Sequence, residues 1–325
     1  MNMFLEALEK ILADHCTAAD VRRIESGGSA SALWQAVQEA GFLGLLLSEE
    51  QDGAALPLPE LFPILECLGR FAVPLPLAQS IAARALVDAD LPDSMVTLAT
   101  QLRHGDGAGL VCPAVPCGAI ADYVLARDGG ALLLLPCAGA RREPVRDDRN
   151  LAANLSWDNP ESVFRRAEGG EQLSAFAAAL TAAMLSGAMQ RTFDMTLDYC
   201  NTRVQFGKPL GKLQAIQQQL AVMAEHVLAA AIAAEAAFRS DTGTPPLLAA
   251  CIAKSRTSEA ASLVAATAHG LHGAIGMTDE YQLGLLTRRL HDWRVAYGAE
   301  NTWNRIIGEQ VLASDTSLVD FVQKL

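Results

Sequence analysis

The chain has 325 residues, 51% of them hydrophobic, which is enough for two or three domains with sizeable cores and too apolar for a disordered protein. Its 25 Lys and Arg against 37 Asp and Glu leave a net charge of -12, which argues against nucleic acid or an anionic membrane as the main partner. Seven cysteines (Cys16, Cys67, Cys112, Cys117, Cys137, Cys200 and Cys251) form no Cys-x-x-Cys pair and fit reduced structural thiols, so a cytoplasmic setting is expected. Glu6, Glu9 and Asp14 near the start do not fit a signal peptide, and no uncharged apolar run of membrane length is expected.

In chain order, Met3 to Ile24 carries Phe4, Leu5, Leu8, Ile11 and Leu12 at helical spacing and predicts one amphipathic helix. After a break at Gly27, Ser31 to Ala40 predicts a helix bearing Leu33 and Trp34, and the run from Gly41 to Glu50 predicts an extended apolar segment. Leu58 to Phe71 predicts a third helix, stopped by Pro74 and Pro76, and Ala78 to Val87 a fourth. These elements make an N-terminal helical domain of residues 1–89.

From Asp90 to Gly170 short apolar runs alternate with Gly, Pro and Arg-Asp clusters. Residues 109–112, 123–126, 131–135 and 152–157 predict strands, which makes 90–170 a small, reduced central β domain. The run Gly105 to Gly109 precedes a strand instead of joining strand to helix, so it predicts a turn and not a nucleotide loop. There is no Gly-x-Ser-x-Gly elbow, and the histidines show no metal-type clustering with Cys or carboxylates, so hydrolase and metalloenzyme chemistry lose support.

Residues 171–325 read as helices: Gln172 to Thr202, Leu213 to Ser240, Pro245 to Gly270, Tyr281 to Trp293 and Thr302 to Ala313. Leu213, Ile216, Leu220, Ala224, Val227 and Ala231 recur at helical spacing, and the alanines let neighbouring helices approach closely. Leu247 to His269 has little charge beyond Lys254, Arg256 and Glu259, so burial on more than one face, as at a subunit interface, is expected. The fold class is therefore α+β, mainly α: an N-terminal helical domain, a reduced central β domain and a C-terminal four-helix-type bundle.

Two polar, glycine-bearing turns interrupt the bundle. Arg203-Val-Gln-Phe-Gly-Lys-Pro-Leu-Gly-Lys-Leu-Gln214 joins two alanine-rich helices, and unpaired amides at such a junction suit an anion such as a pyrophosphate. Gly270-Leu-His-Gly-Ala-Ile-Gly-Met-Thr-Asp-Glu-Tyr281 follows later in the same half.

Together these residues resemble the acyl-CoA dehydrogenase family, in which an Arg-x-Gln-Phe-Gly-Lys-Pro-Leu turn and a Gln-x-His-Gly-Gly-x-Gly-x-Thr turn hold FAD across a subunit interface. The first turn matches almost throughout; in the second, Gly270 stands for the family's Gln and Ala274 for its second Gly. The stretch from Trp34 to Gly41-Phe-Leu-Gly-Leu45, the Glu66-x-x-Gly-Arg-x-x-x-Pro-x-Pro76 run and Ala121-Asp-Tyr-Val-Leu-Ala-Arg127 extend the resemblance. The N-terminal pattern starts late, as if leading helices were trimmed, and the family's Thr-Glu-Pro-x-x-Gly-Ser-Asp segment is missing.

The resemblance implies FAD-dependent α,β-dehydrogenation of an acyl-CoA thioester in lipid metabolism, by a homo- or hetero-oligomer that passes electrons to an acceptor protein. It also implies roles for single residues. Arg203 would contact the FAD diphosphate, Gln205 and Phe206 would shape the adenosine side, and Gln214 would close the turn. His272, Gly273 and Gly276 would face the cofactor from a neighbouring subunit, so that the two turns would lie on different subunits' sides of one cofactor.

For the catalytic base the resemblance leaves two alignments. Counting forward from Asp292 puts Glu300-Asn-Thr302 at the family's Glu-Gly-Thr, with Glu300 as base and Thr302 beside the cofactor. Counting back from Arg305 puts Gly298 at the same position and leaves no base, and the alanines at 177–179 occupy the family's other base position. Short members of this shape resemble subunits of mixed α2β2 dehydrogenases that act on bulky, ring-bearing acyl-CoAs. A base-free partner subunit, and a helical scaffold without flavin, are therefore the alternatives to a self-sufficient enzyme.

Overall fold

The structure is a computed structural model that describes residues 3–87, 91, 93–105, 108–146 and 149–323. The domain boundary expected at residue 90, and Asp106 and Gly107 of the expected turn, lie outside the described residues. Five helices come first: α1 (Met3–His15), α2 (Ala18–Glu25), α3 (Ser31–Glu39), α4 (Leu58–Arg70) and α5 (Leu77–Leu86). The single helix expected from Met3 to Ile24 is two, because Thr17 and Asp20 close a capping box that starts α2 afresh. The segment after Gly41 is not extended either. Gly41 takes a left-handed turn (φ +80°), and Phe42–Gly44 and Glu49–Gln51 form short 3₁₀ turns that tuck Phe42, Leu43 and Leu45 into the core.

The middle of the chain builds two four-stranded sheets from β1 (Val96–Ala99), β2 (Arg103–His104), β3 (Leu110–Val115), β4 (Tyr123–Asp128), β5 (Ala131–Pro136), β6 (Arg141–Pro144), β7 (Ala153–Trp157) and β8 (Phe164–Arg166). One sheet has the order β1-β4-β5-β8, with β1 parallel to β4; the other, β2-β3-β7-β6, is antiparallel. The four strands expected from apolar runs are present as β3, β4, β5 and β7. The other four are too short or too polar to carry a period of their own and are held by ladder pairing to those neighbours.

The last part comprises α6 (Gly170–Thr202), the two-residue strands β9 (Val204–Gln205) and β10 (Lys208–Pro209), α7 (Gln214–Ala236), α8 (Leu247–His272), α9 (Leu283–Val295), α10 (Glu300–Ala313) and α11 (Leu318–Gln323). Helix α6 is the axis of the molecule: from Leu173 to Met189 every residue is buried, and α4, α7, α8 and α9 pack on it. The α4–α6 crossing is backbone against backbone, since a Cβ on Gly187 would come within 1.9 Å of the Glu66 carbonyl oxygen.

Helices α6 and α7 are both long and apolar enough to cross a membrane by length and composition; α6, uncharged from Gln172 to Gln190, runs contrary to the expectation that no uncharged apolar run reaches that length, whereas α7 carries Glu225. In α6, 94% of the apolar window is packed inside the protein, whereas in α7 only 28% is. The burial expected of Leu247 to His269 is met within the chain, because α6, α7, α9 and α10 enclose α8. On the outer face of α7, Val222, Leu228 and Ile232 are exposed.

Candidate active site

Two regions carry the residues singled out by sequence. The first is the end of the bundle where α6 and α8 stop. The amide of Arg203 donates to the carbonyl of Tyr199 at 2.8 Å, closing α6, and the chain turns back at once through the β9–β10 hairpin, with Gln205 paired to Lys208. Phe206 and Gly207 form its two-residue turn at φ +53° and +76°. Two consecutive left-handed residues fit a type I′ turn, which favours Gly, Asn or Asp, so Phe206 is held in a costly conformation. Its ring is 86% exposed. The Arg203 guanidinium is exposed and has no hydrogen bond or ion pair among the described residues, and Gln205 and Gln214 are exposed beside it.

The second turn lies against this one in the same chain. The Tyr199 ring stacks on His272 at 4.5 Å between centroids, and its hydroxyl donates to the His272 carbonyl at 3.3 Å. Leu210 of the first turn and Leu271 at the end of α8 meet in one small apolar cluster with Cys200 and Leu220. The expectation that the turns serve different subunits' sides of one cofactor is therefore corrected: both belong to one surface of one chain. His272 is corrected as well. Its imidazole is 3% exposed and turned inward, with Nδ1 on the Ala268 carbonyl at 2.8 Å and Tyr281 on its other side, and burial lowers its pKa.

At Gly273 this turn presents backbone outward. Gly273 has φ +63° and ψ −141°, a region that side chains avoid, and open space lies where a Cβ would project. Gly276, expected to face the cofactor, is corrected too: it is buried, and a Cβ there would sit 2.9 Å from the His272 Cβ. An exposed cation, an exposed aromatic face and side-chain-free backbone on one surface fit the diphosphate and flat ring of a dinucleotide. Val204, Phe206, Ile275 and Met277 of the two turns are exposed apolar residues.

The second region is a cavity of about 570 Å³ between the β sheets and the C-terminal end of α9. Its walls come from the ends of β1 and β3, the segment after β6, and residues 289 and 291–298. Arg146 donates to Asp292 at 3.3 Å, and Arg149 makes a two-pronged bond to Asp279 at 2.6 and 2.9 Å, so two arginines join the sheets to the bundle beside the cavity. Three non-glycine residues of the wall, Ala114, Cys117 and Tyr297, have φ between 48° and 60°. Left-handed residues gathered at one cavity mark a site where packing overrides local preference. Burial raises the Asp292 and Cys117 pKa values, the latter to about 11, which keeps the thiol protonated.

The structure separates the two base alignments by position. Gly298 lines the cavity. Glu300 lies two residues on, at the first turn of α10, where both its carboxylate oxygens are bound by Arg294, Nε to Oε2 at 3.0 Å and Nη2 to Oε1. The Arg294 bonds hold the Glu300 carboxyl below its ordinary pKa, and Glu300 is not part of the cavity wall. Thr302 packs over Gly298, its Cβ 3.1 Å from where a Gly298 side chain would begin. It therefore belongs to the cavity region and not to the turns.

Several residues of both regions escaped the sequence reading. Tyr199 lies outside any local pattern because its partner His272 is 73 residues away, and Tyr281, though it ends the quoted turn, has no role that its spacing announces. Lys254, fully buried and bound to the carbonyls of Arg294 and Gly298, left one signal: it is one of the few charges in an apolar, alanine-rich stretch.

Comparison with known proteins places this architecture. Residues 173–312 match the family described as acyl-CoA dehydrogenase, C-terminal domain. The chain is 31% identical over 297 residues to acyl-CoA dehydrogenase IpdE2 of Mycobacterium tuberculosis, covering 89% of this chain and 90% of that protein. Its fold superposes on the ChsE4-ChsE5 complex of Mycobacterium tuberculosis with a TM-score of 0.83 at 21% identity, over 96% of this chain and 97% of that one. A solved steroid ACAD, Tcur3481-Tcur3483, gives a TM-score of 0.81 at 24% identity, over 95% and 96% of the two chains. The protein thus belongs to the acyl-CoA dehydrogenase family of flavoprotein oxidoreductases.

Proposed function

We propose that the chain is a subunit of an FAD-dependent acyl-CoA dehydrogenase that supplies the dinucleotide-holding surface and leaves the base to a homologous partner. The observation that carries this reading is the placement of Gly298 on the cavity wall while Glu300 is bound to Arg294 outside it. A base for the α-proton of a thioester needs a carboxylate that reaches the substrate and holds the proton weakly enough to cycle, whereas an arginine-bound carboxylate with a lowered pKa is a poor acceptor.

FAD, when bound, accepts the hydride from the β-carbon of the acyl group. This chain's own part is binding and orientation: Arg203 toward the diphosphate, Phe206 and Gln205 toward the adenosine, the exposed backbone at Gly273 completing the cradle. The cofactor's other half requires a second chain, which would cover the apolar rim around Phe206 and Met277. Support for a mixed assembly comes from the solved ChsE4-ChsE5 complex, and support for a bulky, ring-bearing acyl group from the neighbour described as a steroid ACAD.

A self-sufficient enzyme is the second reading. It is favoured by the order Glu300-x-Thr302 and by Arg294, which lines the cavity and holds Glu300 at its edge. Flavin content and anaerobic reduction by a panel of acyl-CoAs, measured on the chain alone and on the chain co-purified with a homologous partner, test the proposal. Flavin that is reduced only in the mixed complex supports the partner reading, reduction of the chain alone supports the second, and a colourless mixed complex leaves only a flavin-free scaffold.

A further inference from the structure

We propose that Lys254 is a positioning residue for the cavity: its ammonium clamps the segment from Arg294 to Gly298 into the shape that forms one wall. Lys254 is fully buried in the middle of α8. Its Nζ donates to the Arg294 carbonyl at 2.8 Å, the Ser258 hydroxyl at 2.9 Å and the Gly298 carbonyl at 3.1 Å. Three N–H groups therefore meet three neutral acceptors, two of them backbone oxygens that bracket the wall segment.

That segment needs holding. Tyr297 and Gly298 are consecutive left-handed residues, at φ +60° and +118°, and a tyrosine keeps such a conformation only where its surroundings fix it. The Gly298 carbonyl also accepts from the Trp303 indole Nε1 at 2.9 Å, so ammonium and indole converge on one oxygen. The Arg294 carbonyl lies in the last turn of α9, where a cation complements the helix dipole.

The charges acting on Lys254 are Glu300 of α10, which favours the ammonium, and Arg294 of α9, which opposes it. Of the other packed helices, α6 directs Glu171 at Cys251, one turn earlier on α8, and α7 directs His226 at Arg256. Burial outweighs the Glu300 contribution and brings the Lys254 pKa down to about 7. The neutral amine keeps two N–H groups, enough for the two carbonyls, and the Ser258 hydroxyl, which otherwise donates to the Arg294 carbonyl at 3.3 Å, can turn to donate to its lone pair. Both carbonyl bonds of the clamp then lose the positive charge that strengthens them, so the wall is held more tightly below about neutral pH than above it.

The inference takes its functional meaning from reading the cavity as the acyl-CoA pocket, but its test needs no ligand, so the two fail separately. The indole ¹H–¹⁵N resonance of Trp303, in protein labelled with ¹⁵N-tryptophan and assigned with Trp303→Phe, is followed from about pH 6 to about pH 8.5, spanning the titration. The expected result is a titration with its midpoint near 7 in the wild type, absent in Lys254→Met and in Lys254→Arg, whose guanidinium stays charged. A Trp303 signal that is invariant in the wild type overturns the proposal, as does the same titration in either variant. Should neither variant fold, the wild-type titration alone decides.

Discussion

Tyr199 stacks its ring on the imidazole of His272, 73 residues away in sequence, and hydrogen-bonds to the His272 carbonyl at 3.3 Å. This contact joins the end of α6, where Arg203 begins the first turn, to the end of α8, where Gly273 begins the second. Its removal should loosen both. Tyr199→Ala is expected to cost about 1 to 3 kcal/mol of stability, below the value for a fully buried aromatic because Tyr199 is half-buried. Tyr199→Phe should cost about 1 kcal/mol, the worth of one hydrogen bond. Denaturant midpoints and flavin content of both variants check this, and flavin should follow Ala, not Phe.

Arg203→Ala should leave stability within about 0.5 kcal/mol, because the side chain is exposed and has no hydrogen bond or ion pair among the described residues. It should weaken FAD binding by roughly 1.5 to 3 kcal/mol, the worth of a charge-assisted contact. Flavin titration of apo-protein in the assembled state reads the difference directly.

Gly276→Ala places a methyl group 2.9 Å from the His272 Cβ and 3.1 Å from a Leu283 methyl. Overpacking at such a site costs about 1 to 3 kcal/mol. The turn should shift, and flavin binding should fall in parallel with the thermal midpoint.

Burial of Lys254 carries a pH signature for the whole fold. Its folded pKa of about 7 lies below the ordinary value of 10.5, so the unfolded chain binds more protons between these limits. Stability contributed at this position is therefore greatest above 10.5 and is lost as pH falls to about 7, with no further change below. Lys254→Met should flatten that rise. Denaturant unfolding at several pH values between those limits would show it.

Sequence patterning revealed the helices of the bundle because their apolar periods are long, and four strands because their runs are continuous. It failed at Cys16–Thr17, where a capping box breaks a continuous apolar pattern, and after Gly41, where an apolar run coils into 3₁₀ turns to bury Phe42 and Leu45. At the site, Arg203 and Gly273 were legible because a motif of spaced residue types names them. The inward turn of His272, the Tyr199 stack and the Lys254 clamp were not, since each depends on a partner between 40 and 73 residues away. Two frames of counting could not choose between Gly298 and Glu300. The difference is one of position in space: one lines a cavity and the other is bound to Arg294.

The central claim is that this chain holds flavin without supplying the base, and Glu300→Gln in the mixed complex tests it most directly. The substitution keeps size and hydrogen bonding but removes the proton acceptor. It also weakens the pair with Arg294, a loss of under about 1 kcal/mol for a partly exposed ion pair. Unchanged flavin content and an unchanged rate of anaerobic flavin reduction by acyl-CoA are expected. Normal flavin content with reduction slowed by roughly a hundredfold or more, the cost of a lost general base, would contradict it and make Glu300 the base.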